Sequence, residues 1–384
     1  MLGLYLMLAL AGWQPMAAQA PGRTELPPAV ARQLAAGTAA LHAGRLAEAI
    51  RDFRQAAAGA PRFAGAWNNL AAAQARAGQL AAARQSWRRA LALAPRNAAI
   101  RLNLGVAEFR LKHFAAARHL LLQAARAQPR SYQAADLLGL SYFALNRYRS
   151  AARWLRRAWR LAPGNARTIY MLGQADLRRH DLPALKTDFA RLMHAAPDSA
   201  EAHMMMAMAY DHAGREPLAL LQLRAAEKRD PHFPGVHDDL GLAYWKLDHM
   251  SVARREFQQE LSEFPRDYAA NYFLGRLEIR AGQPAAALAP LRRAVAAGPR
   301  AYMPWLELGR AEMMLHHPRQ ALPPLRRAAG LRPDSVRAHF LLGTAYAQLG
   351  RAAAARRERL LAAAARHRSW QQFNHAARPQ PHPR

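Results

Sequence analysis

The sequence predicts an all-α solenoid of ten helix-turn-helix repeats, and three observations predict it. First, Pro61, Pro95, Pro129, Pro163, Pro197, Pro231, Pro265, Pro299 and Pro333 stand at an unbroken spacing of 34 residues. Self-similarity at one fixed period marks a repeat architecture, whose units stack because none can bury its apolar face alone. Second, small residues return at three fixed places in the period. Third, helix-stopping and helix-starting residues return between them.

Counting Ala64 as position 1, repeats begin at residues 30, 64, 98, 132, 166, 200, 234, 268, 302 and 336, so the array spans 30–369. Position 8 is Gly or Ala throughout, from Gly37 and Ala71 to Gly343. Position 20 is Ala except at Leu185, and position 27 is Ala except at Leu192 and Glu260. Small residues let two helices approach while Leu or aromatics at positions 7 and 24 fill the space between them. Position 15 holds Gly44, Gly78, Gly214, Gly282 and Gly350, with Asn146, Asp248, His180 and His316 elsewhere. These residues suit a left-handed helix stop, and only Lys112 is out of character there. Position 34 offers Asn97, Ser131, Asn165, Ser199, Asp267 and Ser335 as N-caps for the following helix.

Within Ala64–Asn97, Trp67, Leu70, Ala71, Gln74, Gly78, Ala83, Trp87, Ala90 and Pro95 occupy positions 4, 7, 8, 11, 15, 20, 24, 27 and 32. This resembles the tetratricopeptide repeat family, which places Leu at 7, a small residue at 8, Ala at 20 and 27, and Pro at 32. The resemblance implies a right-handed α-α superhelix without catalytic machinery. Such a solenoid binds protein segments in a concave groove lined by positions 2, 5, 9, 12 and 13 of each first helix.

Carried over position by position, the groove comprises Phe109, Leu140, Phe143, Tyr170, Met204, Met208, Asp211, Asp238, Trp245, Lys246, Tyr272, Arg280, Met313 and Phe340. Trp245, Tyr272 and Tyr170 are the expected anchors, because aromatic residues dominate such interfaces. The competing expectation is that about half of these side chains pack one helix against the next. The clamp by which relatives hold an acidic chaperone tail needs Lys, Asn and Arg on three consecutive helices. Asn69 and Asn103 are here without those companions.

Formal net charge is +29, and arginine doublets recur at positions 25–26 as Arg88-Arg89, Arg156-Arg157, Arg292-Arg293 and Arg326-Arg327. A basic ridge on the second helices would attract a polyanion such as nucleic acid, anionic lipid or envelope phosphate. A plain solvated face is the commoner origin of such a pattern. The absence of cysteine excludes disulfides and thiolate chemistry. No HExxH, phosphate-cradling loop or nucleophile elbow occurs. His203, His237 and His339 share position 4 with Trp67 and Trp305, which makes them packing residues rather than metal ligands. The sequence thus implies no cofactor, metal or small-molecule substrate. It implies a protein or peptide partner, with a polyanion-binding protein and an accessory subunit of an enzyme complex as alternatives.

Residues 1–20 carry no charged side chain and end in Ala18-Gln19-Ala20, the layout of a signal peptide cleaved after Ala20, although no basic residue precedes the apolar run. Export to the periplasm or medium is the corresponding expectation. Residues 21–29 read as a linker, and 370–384 as a capping end and a disordered tail. Repeats 5–7 depart most from the pattern, which marks them as a place for a bend or looser packing. Glu260 at a tight site must find solvent or an arginine. Pro290 and Pro323-Pro324 in second helices predict local kinks without breaks.

Overall fold

The structure is a computed structural model and describes residues 26–376. All regular structure among them is helical. The first helices of the ten repeats are α1 (Pro28–His42), α3 (Ala64–Arg76), α5 (Ala98–Arg110), α7 (Tyr132–Ala144), α9 (Ala166–Arg178), α11 (Ala200–His212), α13 (Val236–Lys246), α15 (Tyr268–Arg280), α17 (Tyr302–Met314) and α19 (Val336–Gln348). Their partners are α2 (Leu46–Gly59), α4 (Leu80–Leu93), α6 (Phe114–Ala127), α8 (Tyr148–Leu161), α10 (Leu182–Ala195), α12 (Glu216–Arg229), α14 (Met250–Glu263), α16 (Pro284–Ala297), α18 (Pro318–Leu331) and α20 (Ala352–Ala376). The expected leader segment and the end of the tail lie outside the described residues.

Each turn follows from its residues. All ten position-15 residues take the left-handed conformation, Lys112 included at φ 63°. A lysine therefore accepts a conformation that costs L-residues about 1–2 kcal/mol, because the helix pairing on both sides dictates it. Every polar position-34 residue caps its helix. Asn97 accepts from the Ala99 and Ile100 amides at 3.0 and 3.1 Å, and Asp267 does the same for Ala269 and Ala270 at 2.8 and 3.1 Å. Ser131, Asn165, Ser199 and Ser335 each accept one amide of the first turn.

At Gly37, Gly105, Gly139, Gly241, Gly275 and Gly309 the small residue at position 8 meets the bulky one at position 24 of its own repeat, whereas Gly173 meets Met205 of the next. A Cβ on Gly139 would lie 2.7 Å from Leu155 Cγ, and one on Gly275 would lie 2.5 Å from Leu291 Cγ. The helices can pack at this distance only because position 8 has no larger side chain. Around these contacts Phe53, Trp87, Leu121, Leu155, Phe257, Leu291 and Leu325, all at position 24, are wholly buried. Pro290 and the Pro323-Pro324 pair leave α16 and α18 unbroken.

The chain divides into two compact units. Among the described residues, one comprises 26–208 and 228–234, the other 209–227 and 235–376. The first contains an apolar cluster built on Leu34, Phe53 and Leu70. The second contains clusters centred on Phe257 and Leu274, on Leu291 and Leu308, and on Leu325 and Leu342. The division falls in the repeats that depart most from the pattern. There Pro234-Gly235 displaces the usual first turn, Gly235 stands at φ 82°, and α13 has only 11 residues where its neighbours have 13.

Candidate functional site

The structure closes much of the face the sequence marks as a groove. In the first unit Phe109, Leu140, Tyr170 and Met204 are 0–2% exposed, and Phe143 is buried beside Tyr148. Phe109 packs edge-on against Phe114, and Tyr170 against Phe233, with centroids 5.5 Å apart in both pairs. Gln174 donates to the Tyr170 hydroxyl at 3.0 Å and also reaches Met208 Sδ, which is half-buried. Tyr272 in the second unit is buried as well, between Tyr268 and Phe273. Apart from Met208, these residues are core and not anchors. Positions 5, 9 and 12 face the adjacent first helix as well as the open side, and a large apolar side chain there fills the inter-helix space.

The most accessible apolar member of the set lies in the second unit, while Met208 in the first is half-buried. Phe340 is 57% exposed and the neighbouring-repeat Met314 is 40% exposed. Met313 and Trp245 are half-buried, and Trp245 holds the Arg276 guanidinium 4.8 Å from its ring centroid. The first helices that carry them touch in sequence: α13 with α15, α15 with α17 and α17 with α19. Lys246 pairs with Asp211, and Arg280 with Asp248 at 2.7 Å, so both predicted cations stand in surface ion pairs.

The arginine doublets do more than decorate a surface. Position 25 reaches position 11 of the following repeat: Arg88 to Glu108 at 2.9 Å, Arg156 to Asp176 at 2.9 Å, Arg292 to Glu312 at 3.1 Å, and Arg326 to the Tyr346 hydroxyl at 2.8 Å. Position 26 reaches backwards. Arg157 and Arg327 donate to the carbonyls of Pro129 and Pro299, and Arg293 to Asn271 Oδ1 at 2.7 Å. Of the eight ridge arginines, Arg89 is exposed with no such bond. The ridge is largely a set of inter-repeat ties.

A second recurrent bond went unseen in the sequence. Position 4 donates to the carbonyl of the position-32 proline before it: Trp67 to Pro61 at 3.0 Å, Asn271 to Pro265 at 3.0 Å, Trp305 to Pro299 at 3.1 Å, and Arg101 to Pro95. His339 Nε2 meets the Pro333 carbonyl at 3.1 Å in the same way. The position-4 histidines are therefore not mere packing. Each also meets a carboxylate through one ring nitrogen: His339 Nδ1 with Glu358, His237 Nδ1 with Glu256 and His203 Nε2 with Asp198.

Buried carboxylates differ between the units. In the first, Asp176 accepts from Arg156 and Arg179, and Asp188 from Arg191 at 2.8 Å. Burial and then the adjacent Asp176 push Asp188 up to about 7. Also there, Asp136, the acidic point of the fourth repeat, is raised by burial to about 6 although it accepts from Thr168. In the second unit Glu260 is 2% exposed, and among the described residues it finds neither solvent nor an arginine, contrary to expectation. It lies with Asp238 and Asp267 in a trio whose donor atoms fall within 4.8 Å of one another. Burial, then Asp267 and Glu260, raises Asp238 to about 10 and leaves its Oδ1 without a partner. Glu260 rises to about 7 for the same first reason. A further group of three, Glu227, His237 and Glu256, stands beside this trio in the same unit.

Comparison with known proteins agrees with this architecture. Tetratricopeptide repeat profiles match residues 102–166, 170–232, 239–302 and 306–371, and a second such profile matches 64–97. A solved human IFIT1 dimer with PPP-AAAA is similar over 90% of this chain and 95% of its own, at 17% identity and a TM-score of 0.51. MamA from Desulfovibrio magneticus RS-1 is similar over 44% of this chain and 95% of its own, at 20% identity and a TM-score of 0.41. No curated protein matches the chain by sequence. Among the described residues no helix is long and apolar enough to cross a membrane.

Proposed function

The chain belongs to the tetratricopeptide repeat family, and from that premise we propose that it is a non-enzymatic scaffold that captures a protein segment on the first-helix face of its second compact unit. One observation carries the reading. Phe340 and Met314 keep large apolar surfaces exposed at groove positions, with Trp245 and Met313 half-buried on the same series of helices. Exposed apolar side chains with charged neighbours suit a partner surface, and methionine adapts to irregular ones. Asp211, Lys246 and Arg280 supply charge beside them, whereas the fully buried members of the predicted set, and Asp238, which its surroundings keep protonated, offer a partner no charge.

Export from the cytoplasm belongs to the same proposal, and N-terminal sequencing of the mature protein should then begin at Pro21. Polyanion binding through the arginine doublets is the weaker reading, since seven of the eight arginines are bonded within the array. A photo-crosslinking residue at position 340 of the full chain should join one discrete protein in extracts of its own cells. The same probe at Arg89 should not, and Phe340→Asp should weaken capture measured at high salt. Equal crosslinking at both positions would reject the proposed face. Capture of nucleic acid alone, lost as salt rises, would favour the ridge.

A further inference from the structure

Two repeats of the second unit carry similar polar assemblies, and one side chain added in the seventh points to a ligand. In the tenth repeat, His339 Nδ1 meets Glu358 Oε2 at 2.6 Å while Arg326 donates to Tyr346 from the preceding helix. In the seventh, the equivalent residues are His237, Glu256, Arg224 and Tyr244. His237 Nδ1 meets Glu256 Oε2 at 2.9 Å, and Arg224 Nη2 donates to the Tyr244 hydroxyl at 3.0 Å. The seventh repeat adds one group. Glu227 stands where the ninth-to-tenth junction has Ala329, and its Oε1 lies 3.9 Å from His237 Nδ1. Since the tenth-repeat assembly forms with alanine at that place, Glu227 is not needed to complete the histidine-glutamate pair.

We propose that Glu227, His237 and Glu256 bind one transition-metal dication of the zinc type. Each offers one atom, Glu227 Oε1, His237 Nδ1 and Glu256 Oε2, and the three lie within 4.8 Å of one another. Zinc takes nitrogen and carboxylate oxygen at about 2.0–2.2 Å, so donor atoms around it stand about 3–4 Å apart. The triangle therefore needs only side-chain rotation to close on an ion. The opposite carboxylate oxygens are already held: Arg224 Nη1 takes Glu227 Oε2 and Nη2 takes Glu256 Oε1, both at 2.7 Å. A single guanidinium thus turns both carboxylates so that their remaining oxygens face the imidazole, the outer-shell arrangement that orients metal ligands.

One imidazole and two carboxylates, without thiolate, suit zinc and its first-row neighbours better than magnesium or calcium, whose sites are all-oxygen. Access is available from the Glu227 side, where that side chain is 27% exposed, while His237 and Glu256 are each 10% exposed. Three protein ligands leave further coordination positions for water or for a donor from a partner. This inference does not depend on the scaffold reading above.

The full chain, stripped with chelator and dialysed against micromolar zinc chloride, should retain metal at a site that Glu227→Ala abolishes. That variant copies the alanine of the tenth repeat and should fold. Its loss should weaken zinc affinity at this site by at least about 100-fold, the upper range for losing even an outer-shell partner. His237→Gln should do the same. The reverse exchange, Ala329→Glu, should add one equivalent of bound zinc by completing the His339–Glu358 pair. Two results would overturn the inference: identical zinc stoichiometry and affinity in wild type and Glu227→Ala, which would place any bound metal on other histidines, or no zinc retained by either. In both cases the group would be an ion network closed by the imidazolium.

Discussion

The two compact units obey one repeat pattern but differ in how much of their polar and apolar surplus is matched at the groove positions and among the buried carboxylates. In the first, large residues at positions 5, 9 and 12 fill the space between first helices, and buried Asp176 is matched by two arginines. In the second, Phe340 and Met314 stay in solvent, and among the described residues no ion pair reaches Asp238, Glu260 or Asp267. Unmet carboxylates and unburied aromatics cost stability unless something else meets them. The contrast is one of degree, since Asp188 in the first unit also keeps one buried carboxylate oxygen without a hydrogen-bond partner.

The largest expected effect comes from the packed half. Phe109→Ala should lower the unfolding free energy by about 3–5 kcal/mol, because a wholly buried aromatic leaves a cavity. Urea titration of that variant would detect it. Asp176→Ala should also destabilise, by about 3 kcal/mol, since it strands Arg156 and Arg179 beside a buried site. Glu260→Ala should act with the opposite sign and raise the melting temperature, by on the order of 1–3 kcal/mol in stability. Its folded pKa of about 7 lies above the usual 4.5. The folded state therefore holds a proton that the unfolded state releases, and the wild type loses stability as pH rises from about 4.5 to 7. The gain from alanine should be greatest above pH 7 and shrink toward pH 5. Destabilisation by Glu260→Ala at pH 8 would erase the contrast between the halves.

Smaller effects sharpen it. Arg88→Ala and Arg292→Ala should each cost about 0–1 kcal/mol, because both side chains are more than half exposed and solvent screens their pairs. Phe340→Ala should change the unfolding free energy from urea titration by less than about 0.5 kcal/mol while reducing partner capture. A loss comparable to that of Phe109→Ala would show that Phe340 is structural after all.

Most of the backbone was legible in the sequence because it depends on residues close together. Caps at position 34 and left-handed stops at position 15 need only local geometry, and they appear at the expected residues. The surface was harder. Whether Tyr170 lies open depends on Phe233, which is 63 residues away, and on the size of side chains on the adjacent helix. No position rule carries that information. Glu260 could be recognised as anomalous, but its neighbours Asp238 and Asp267 become neighbours only when three helices pack. The arginine ties were within reach, since an acid or tyrosine recurs 20 residues after the first member of each doublet at Glu108, Asp176, Glu312 and Tyr346.

The bond from position 4 to the preceding proline carbonyl has a consequence for how such an array can change. Tryptophan, arginine, asparagine and histidine all perform it, so the requirement is for a reachable N–H and not for a particular residue. The boundary between repeats is thus closed by a tolerant grammar, in which four unlike words have one meaning. Mutation can move among them and bring new charge or aromaticity to the seam while the carbonyl stays satisfied. His237, which turns its Nδ1 to Glu256, shows where that freedom can lead: a residue drawn from the closure vocabulary becomes available for a different sentence.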